Sequence, residues 1–212
     1  MGTPGQADLI NVFDHESITV TASSPRIGGA SLAEATKMFG AVLGYPEPTQ
    51  TIFADGWSLG TVHWVQFHTH EPVTVGLLRV IGTHSHAGTP WRSFDRLRLL
   101  MSDDGGSTYT QVVLDESITI PYVDQPGNDR ASPEFPGRLD VMLALPGAVE
   151  GQYFRAEFTQ GSSSWYGGPR VNTLAAFVPE PGTLGLLGMA LVMLLFRSRP
   201  RGDRDGCAAS PG

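Results

Sequence analysis

FDRLRLLMSDDGGSTYTQVVL, residues 94–114, holds two strands and the turn that joins them. Phe94, Arg96 and Arg98 alternate with Asp95, Leu97 and Leu99, the two-residue period of a strand with one wet and one buried face. The run Asp103-Asp104-Gly105-Gly106 breaks that period. Glycine supplies the positive φ of a tight reversal, and aspartate bonds to nearby backbone, so the run reads as a hairpin turn. It is not a calcium loop, because the oxygen ligands of such a loop fall at alternate positions. Tyr109–Leu114 then resumes the strand pattern.

The same period recurs on both sides. It runs through Ser17–Ala22 (Ile18, Val20, Ala22), Val73–Ile81, Arg138–Leu145 (Leu139, Val141, Leu143 and Leu145 inward), Gln152–Gln160 (Phe154, Ala156, Phe158) and Arg170–Phe177 (Val171, Leu174, Phe177). In Thr61–Thr69, Val62, Trp64 and Gln66 alternate with His63, Val65 and Phe67, so both faces are covered. Eight strands separated by turn signals predict an all-β antiparallel sandwich, with short turns at 69–72 and 103–107. One stretch departs from this. Ser31–Val42 is helical in composition, with Leu32, Ala35 and Phe39 on one face and Ser31 and Glu34 placed for a capping box. A short helix inside a long connection is expected.

The chain has 212 residues, 26 Gly, 16 Pro and a net charge of −7. Residues 1–178 carry a net −8 and residues 179–212 a net +1. An acidic body excludes nucleic acid as a partner, since phosphate binding needs a basic face. The single cysteine, Cys207, leaves no intrachain disulfide, so the fold stands on its core alone. Residues 1–14 form an N-terminal segment with no basic stretch followed by an apolar one, so no signal peptide is legible there.

Residues 179–212 are of another kind. No charge falls between Pro181 and Phe196. As a helix this run spans about 24 Å, somewhat short of the roughly 30 Å hydrocarbon core, a gap that snorkelling arginines and local thinning cover. A buried core helix would show a polar face, and this stretch has none. It reads as a transmembrane helix over residues 182–196, stopped by Arg197, Arg199, Arg201 and Arg204 in a basic tail, 197–212. The arginines stay cytoplasmic by the positive-inside rule, which puts the preceding residues across the membrane.

VPEPGTLGLLGMALVMLLFRSRPR, Val178 to Arg201, resembles the PEP-CTERM sorting signal of Gram-negative bacteria. Pro179, Glu180 and Pro181 match its motif, followed in order by the glycine-rich membrane helix and the arginine cluster. The earlier Pro46-Glu47-Pro48 has no apolar run behind it and reads as a proline-stiffened loop. The resemblance implies export, processing near the motif by exosortase (a membrane cysteine peptidase), and a place at the cell surface or in an exopolysaccharide biofilm matrix. The inner membrane and exosortase are then the partners of the precursor. The chain departs from the pattern in its missing signal peptide and in the residues that run on past the arginines.

The body, residues 15–178, resembles the discoidin, or coagulation-factor type C, branch of the galactose-binding jelly rolls. The stretches that carry this are ITVTASSP, FADGW, HWVQFHTHEPVTVGLLRVIG, RSFDRLRLLMSDDGGSTYTQVV, QYFRAEFTQ and GPRVNTLAAF. The resemblance implies a non-catalytic module that binds glycans or lipid head groups, with a structural calcium in some members. Asp55 matches the calcium loop and Asn172 stands where an acidic residue is common, which makes these two the calcium candidates; no other cofactor is expected.

Counting strand directions gathers the long connections, 23–61, 82–92, 115–137 and 160–169, at one end of the sandwich. Long loops on a rigid sandwich are the usual place for binding groups. These carry Trp57, His84, His86, Trp91, Arg92, Trp165 and Tyr166. Flat rings stack on sugar C–H faces, while Arg and His donate to hydroxyls and carboxylates. The alternative for Trp57 and Trp165 is that they plug the sandwich end. The pairs His68/His70 and His84/His86 lie at opposite ends by the same count, so they do not form one metal site. No nucleophile elbow, P-loop, HExxH run or paired carboxylates are present, which argues against an enzyme. Arg155 and Glu157 read as a structural ion pair. The expectation is an exported module that binds polysaccharide or another envelope ligand. The alternative is a structural matrix or adhesion protein with no small ligand.

Overall fold

The computed structural model describes residues 10–26, 31–39, 51–54, 58–83, 92–118, 138–161 and 168–178. The chain divides into two units, Met1–Val178 and Pro179–Gly212. The second lies outside the described residues, with its proposed membrane helix. Among the described residues no helix is long and apolar enough to cross a membrane.

The first unit is an antiparallel β structure. Its strands are β1 (Ile18–Ser23), β2 (Thr51–Ile52), β3 (Val62–Thr83), β4 (Phe94–Ser102), β5 (Gln111–Ser117), β6 (Arg138–Gln160) and β7 (Arg170–Phe177). They bond in the order β2-β7-β3-β6-β4-β5, with β1 on β3.

Two pairs of expected strands are single strands. A short turn was expected at 69–72, and Arg138–Leu145 and Gln152–Gln160 were expected as separate strands. Instead β3 and β6 run through both sites. A strand as long as β3 spans about 70 Å when straight, against a diameter of about 40 Å for a unit of this size, so it must bend. The bend falls where the β3–β6 register shifts, between His68 and Val73 and again between Val75 and Leu77. Side chains hold the corner. Gln152 Nε2 donates to the carbonyls of Thr69 (3.0 Å) and His70 (3.1 Å), and Thr69 Oγ1 donates to that of Glu71 (2.6 Å).

The first half of β3 pairs with β1 and late β6, and the second half with β7 and early β6. Inward residues of both halves, Val65 and Phe67 with Leu78 and Val80, enter one core. One folded sheet thus makes both layers of a sandwich, and its reversal is a bend where the sequence suggests a turn.

Irregularities also move residues between faces. Phe94 was expected beside Arg96 and Arg98. A shift between Phe94 and Arg96 puts it inside with Leu97 and Leu99. In β3 the inner row is His63, Val65, Phe67 and Thr69, while Val62 is exposed and Trp64 half-buried. From Arg170 to Ala176, β7 is buried throughout.

The helix is shorter than expected. One α turn, Ala33–Thr36, passes into a 3₁₀ turn, Lys37–Phe39; residues 40–42 lie outside the described residues. The tighter winding brings Met38 inside with Ala35 and Phe39 and leaves Leu32 exposed. The capping box does not form. Ser31 Oγ accepts from the Ala33 amide (3.2 Å), but Glu34 turns to Lys37 at 2.8 Å.

Candidate ligand-binding surfaces

Backbone hydrogen bonds tie the stems of several connections together at one end. The Gly60 amide donates to the Gln160 carbonyl (2.9 Å), Gly161 to Ser93 (3.1 Å), Arg170 to Arg92 (3.0 Å) and Ile118 to Asp95 (2.6 Å). Phe53 and Ala54 bond to Pro169 and Pro25, at 3.0 and 2.8 Å. The carbonyls of Arg92 and Ser93 therefore accept from both stems of the 160–169 connection. Bending β3 back on itself returns its two ends to this end: Val62 pairs with Thr159, and Gly82 with Val171.

This end of the interior is polar. His63 is 2% exposed, and its Nε2 meets Gln160 Oε1 at 3.0 Å. Its ring lies 5.2 Å from that of Phe53. Arg26, Arg92, Arg170 and Asn172 are buried as well. Arg92 holds a left-handed backbone, φ 69°. For a residue with a bulky side chain this costs of order 1–3 kcal/mol, and it turns the chain from the 82–92 connection into β4.

Of the loop residues expected to meet a ligand, only Arg92 falls within the described residues. It is a buried stem residue. His84, His86, Trp91, Trp165, Tyr166 and Trp57 lie outside them, as do Asp55, Pro179, Glu180, Pro181, Arg197, Arg199, Arg201 and Arg204. Asn172 is inside β7 at 2% exposure and has a bonded partner. Among the described residues no three His, Cys, Asp or Glu side chains gather to hold a metal. His68 and His70 share the outer face of β3. The ring nitrogen Nδ1 of His68 meets the Thr69 carbonyl at 3.2 Å.

The outer face of the β1-β3-β6-β4-β5 layer carries a second arrangement. Trp64, Glu157, Arg98 and Asp115 form one row across four strands. Arg98 Nη1 donates to Glu157 Oε2 (2.9 Å), and Arg155 Nε pairs with Glu157 Oε1 (2.9 Å). Arg96 grips Asp115 through two bonds of 2.6 and 2.7 Å. Those bonds hold the Asp115 carboxyl below the usual carboxylate range and raise the Arg96 guanidinium. The Arg155–Glu157 pair was expected from sequence; its extension to Arg98 and Asp115 depends on register and was not.

Beside this network lies a strip of rings. The Arg155 guanidinium sits 4.4 Å over the Trp64 ring. Tyr153 faces His68 across the ladder, ring centres 5.5 Å apart. Tyr109 and Tyr153 both flank Gly106 at the β4–β5 turn, where a β-carbon would stand 3.0 Å from the Tyr153 ring and 3.2 Å from the Tyr109 hydroxyl. Partial burial pushes the Tyr109 phenol up. Alternation places Trp64, Gln66 and His68 on one face, but nothing in the sequence aligns Tyr153 with His68.

No protein-family model and no curated protein sequence matches this chain. Solved structures do. A family 32 carbohydrate-binding module of C. perfringens NanJ, solved with galactose, aligns with TM-score 0.53 over 79% of this chain and 98% of its own, at 8% identity. The paired family 32 modules of C. perfringens ZmpB align with TM-score 0.53 at 9% identity, over 84% of this chain and 39% of theirs. A third such module, from a C. perfringens family 31 glycoside hydrolase, gives TM-score 0.51 at 11% identity, over 78% of this chain and 94% of its own. The fold is that of the discoidin-like jelly rolls.

Proposed function

We propose that the chain is an exported, non-catalytic module that binds carbohydrate through the loops at the converging end, and that it is sorted by its C-terminal PEP-CTERM segment. The observation that carries the binding half is convergence. The stems of the 23–61, 82–92, 115–137 and 160–169 connections meet at one end of a jelly roll whose structural neighbours include a galactose-bound module. The loops that leave those stems carry Trp91, Trp165, Tyr166, His84 and His86, which have the flat rings and donors that sugars require. Polysaccharide of the cell envelope or biofilm matrix is the ligand class. Arg92 serves this surface from beneath, through the carbonyl that ties the two stems. The sorting half rests on Pro179-Glu180-Pro181, the uncharged run behind it and the arginines that end it.

Binding is tested on a glycan array and by calorimetry with galactose and with the producer's own exopolysaccharide. Trp91→Ala and Trp165→Ala are each expected to weaken binding about tenfold, the loss of one stacking contact. Saturable binding to no glycan, with matrix defects on gene deletion, would replace this reading with that of a structural matrix protein. Sorting is tested by replacing Pro179, Glu180 and Pro181 with alanine and following processing in a host that carries exosortase. Unchanged processing would remove the sorting half.

A further inference from the structure

We propose that the outer face of the β1-β3-β6-β4-β5 layer is a second carbohydrate surface, on which an extended polysaccharide chain lies along Trp64, Arg155, Tyr153, His68 and Tyr109. This strip belongs to the sheet and not to the loop end, so it stands independently of the loop surface.

Three observations carry it. The groups follow one another on one face: Arg155 lies over Trp64, Tyr153 stands two residues from Arg155 on β6 and meets His68, and Tyr109 and Tyr153 share Gly106 as a neighbour. They are half-buried, so each ring is seated by the sheet yet keeps a surface open. Their polar tips are unspent. Among the described residues the Trp64 indole N–H, the two phenol hydroxyls and the His68 Nε2 have no hydrogen-bond partner, while the carboxylates beside them are engaged by arginines. Rings that keep free donors at their edges match a sugar, which offers C–H faces for stacking and hydroxyls at the rim.

The extent also fits a narrow chain. Trp64 and His68 lie four residues apart on β3, about 13 Å, and Tyr153 and Tyr109 continue the strip sideways. A protein partner needs about 800 Å² per side with an apolar centre. Here the flank is the ion network Arg155–Glu157–Arg98–Asp115–Arg96, which is charged throughout. Those five groups sum to +1 on a body of −8, so the strip is locally open to a uronate-bearing chain as well as a neutral one.

The test is affinity electrophoresis of the full-length protein through gels holding galactan, hydroxyethyl cellulose or polygalacturonate, with free galactose titrated separately. The double variant His68→Ala/Tyr153→Ala should lose retardation by at least one polymer about tenfold, with galactose binding and thermal midpoint unchanged. Tyr109→Phe, which removes only a hydroxyl, should lose less. Trp165→Ala should show the reverse: weakened galactose binding and retained polymer retardation. Retardation lost with Trp165→Ala and kept in the double variant overturns the second surface and leaves the loop surface standing. No retardation of the parent in any gel, or a face variant that instead loses a protein partner in cross-linking, also overturns it. Absence of galactose binding with face-dependent retardation would sink the loop surface alone.

Discussion

At the corner end of the sandwich, Phe13, Phe39, Phe67 and Phe154 touch one another, with ring centres 4.7 to 5.8 Å apart and Phe67 as the shared neighbour. At the loop end, Phe53, Phe94 and Phe158 share the interior with His63, Gln160, Arg26, Arg92 and Arg170. Both ends are closed to water, by different means. Hydrocarbon burial needs only shape and volume, and it secures the bend in β3 and β6 that makes the sandwich. Buried polar groups need partners at set distances and angles, so they fix the loop stems in one arrangement. The N-terminal segment belongs to the corner: Phe13 fills it, and Asn11 Oδ1 accepts from the Ala176 amide at 3.1 Å.

The contrast makes graded predictions. Phe67→Ala removes the ring at the centre of the corner cluster and should destabilise the protein by about 3–5 kcal/mol in urea unfolding; a loss below 1 kcal/mol would mean that the cluster does not hold the bend. Gln160→Leu removes the amide oxygen that meets His63 Nε2 at 3.0 Å in the interior and should cost about 1–3 kcal/mol by the same measurement, together with faster proteolysis at the loop end. Gly106→Ala places a side chain on a backbone with φ 88° against Tyr153 and should cost about 1 kcal/mol, with a change in tyrosine fluorescence that marks the shifted strip.

The smallest effect is expected at the β4–β5 turn, where Asp104 accepts from the Ser102 hydroxyl (2.6 Å), the Thr108 amide (2.8 Å) and the Thr108 hydroxyl (2.7 Å). These bonds lower its carboxyl from 3.8 to about 2. A lowered folded-state value stabilises above the unfolded value and is lost as pH falls, here between 3.8 and about 2. The thermal midpoint of Asp104→Asn should therefore lie slightly below that of the parent at neutral pH and converge with it near pH 2. A constant gap across that window would assign the effect to something other than the carboxylate.

Much of the sandwich is legible in the sequence because alternation is a local property. The inward rows of Leu139, Val141 and Leu145, and of Phe154, Ala156 and Phe158, follow from a period of two, and so does the turn at Asp103–Gly106 from its glycines. Phe94 was misplaced because one irregular residue inverts every face behind it. The corner at 69–72 was expected to be a turn, and only the pairing with β6 and the distant Gln152 show that the strand continues. Of the loop-end ligand residues, Arg92 shows the limit: its type suggests a donor to ligand, but its burial and backbone angle make it a stem.

By itself the sequence determined an all-β antiparallel body, a hairpin at 94–114, an acidic surface and an uncharged C-terminal run stopped by arginines. Those are matters of period, composition and charge, which neighbours along the chain decide. Tertiary structure alone decided that four expected strands are two bent ones, that the loop stems converge on Arg92 and Ser93, and that Trp64, Tyr153, His68 and Tyr109 form one strip. Each of these depends on which strand pairs with which, in what register. Register is set by hydrogen bonds between residues up to 165 positions apart, as between Asn11 and Ala176.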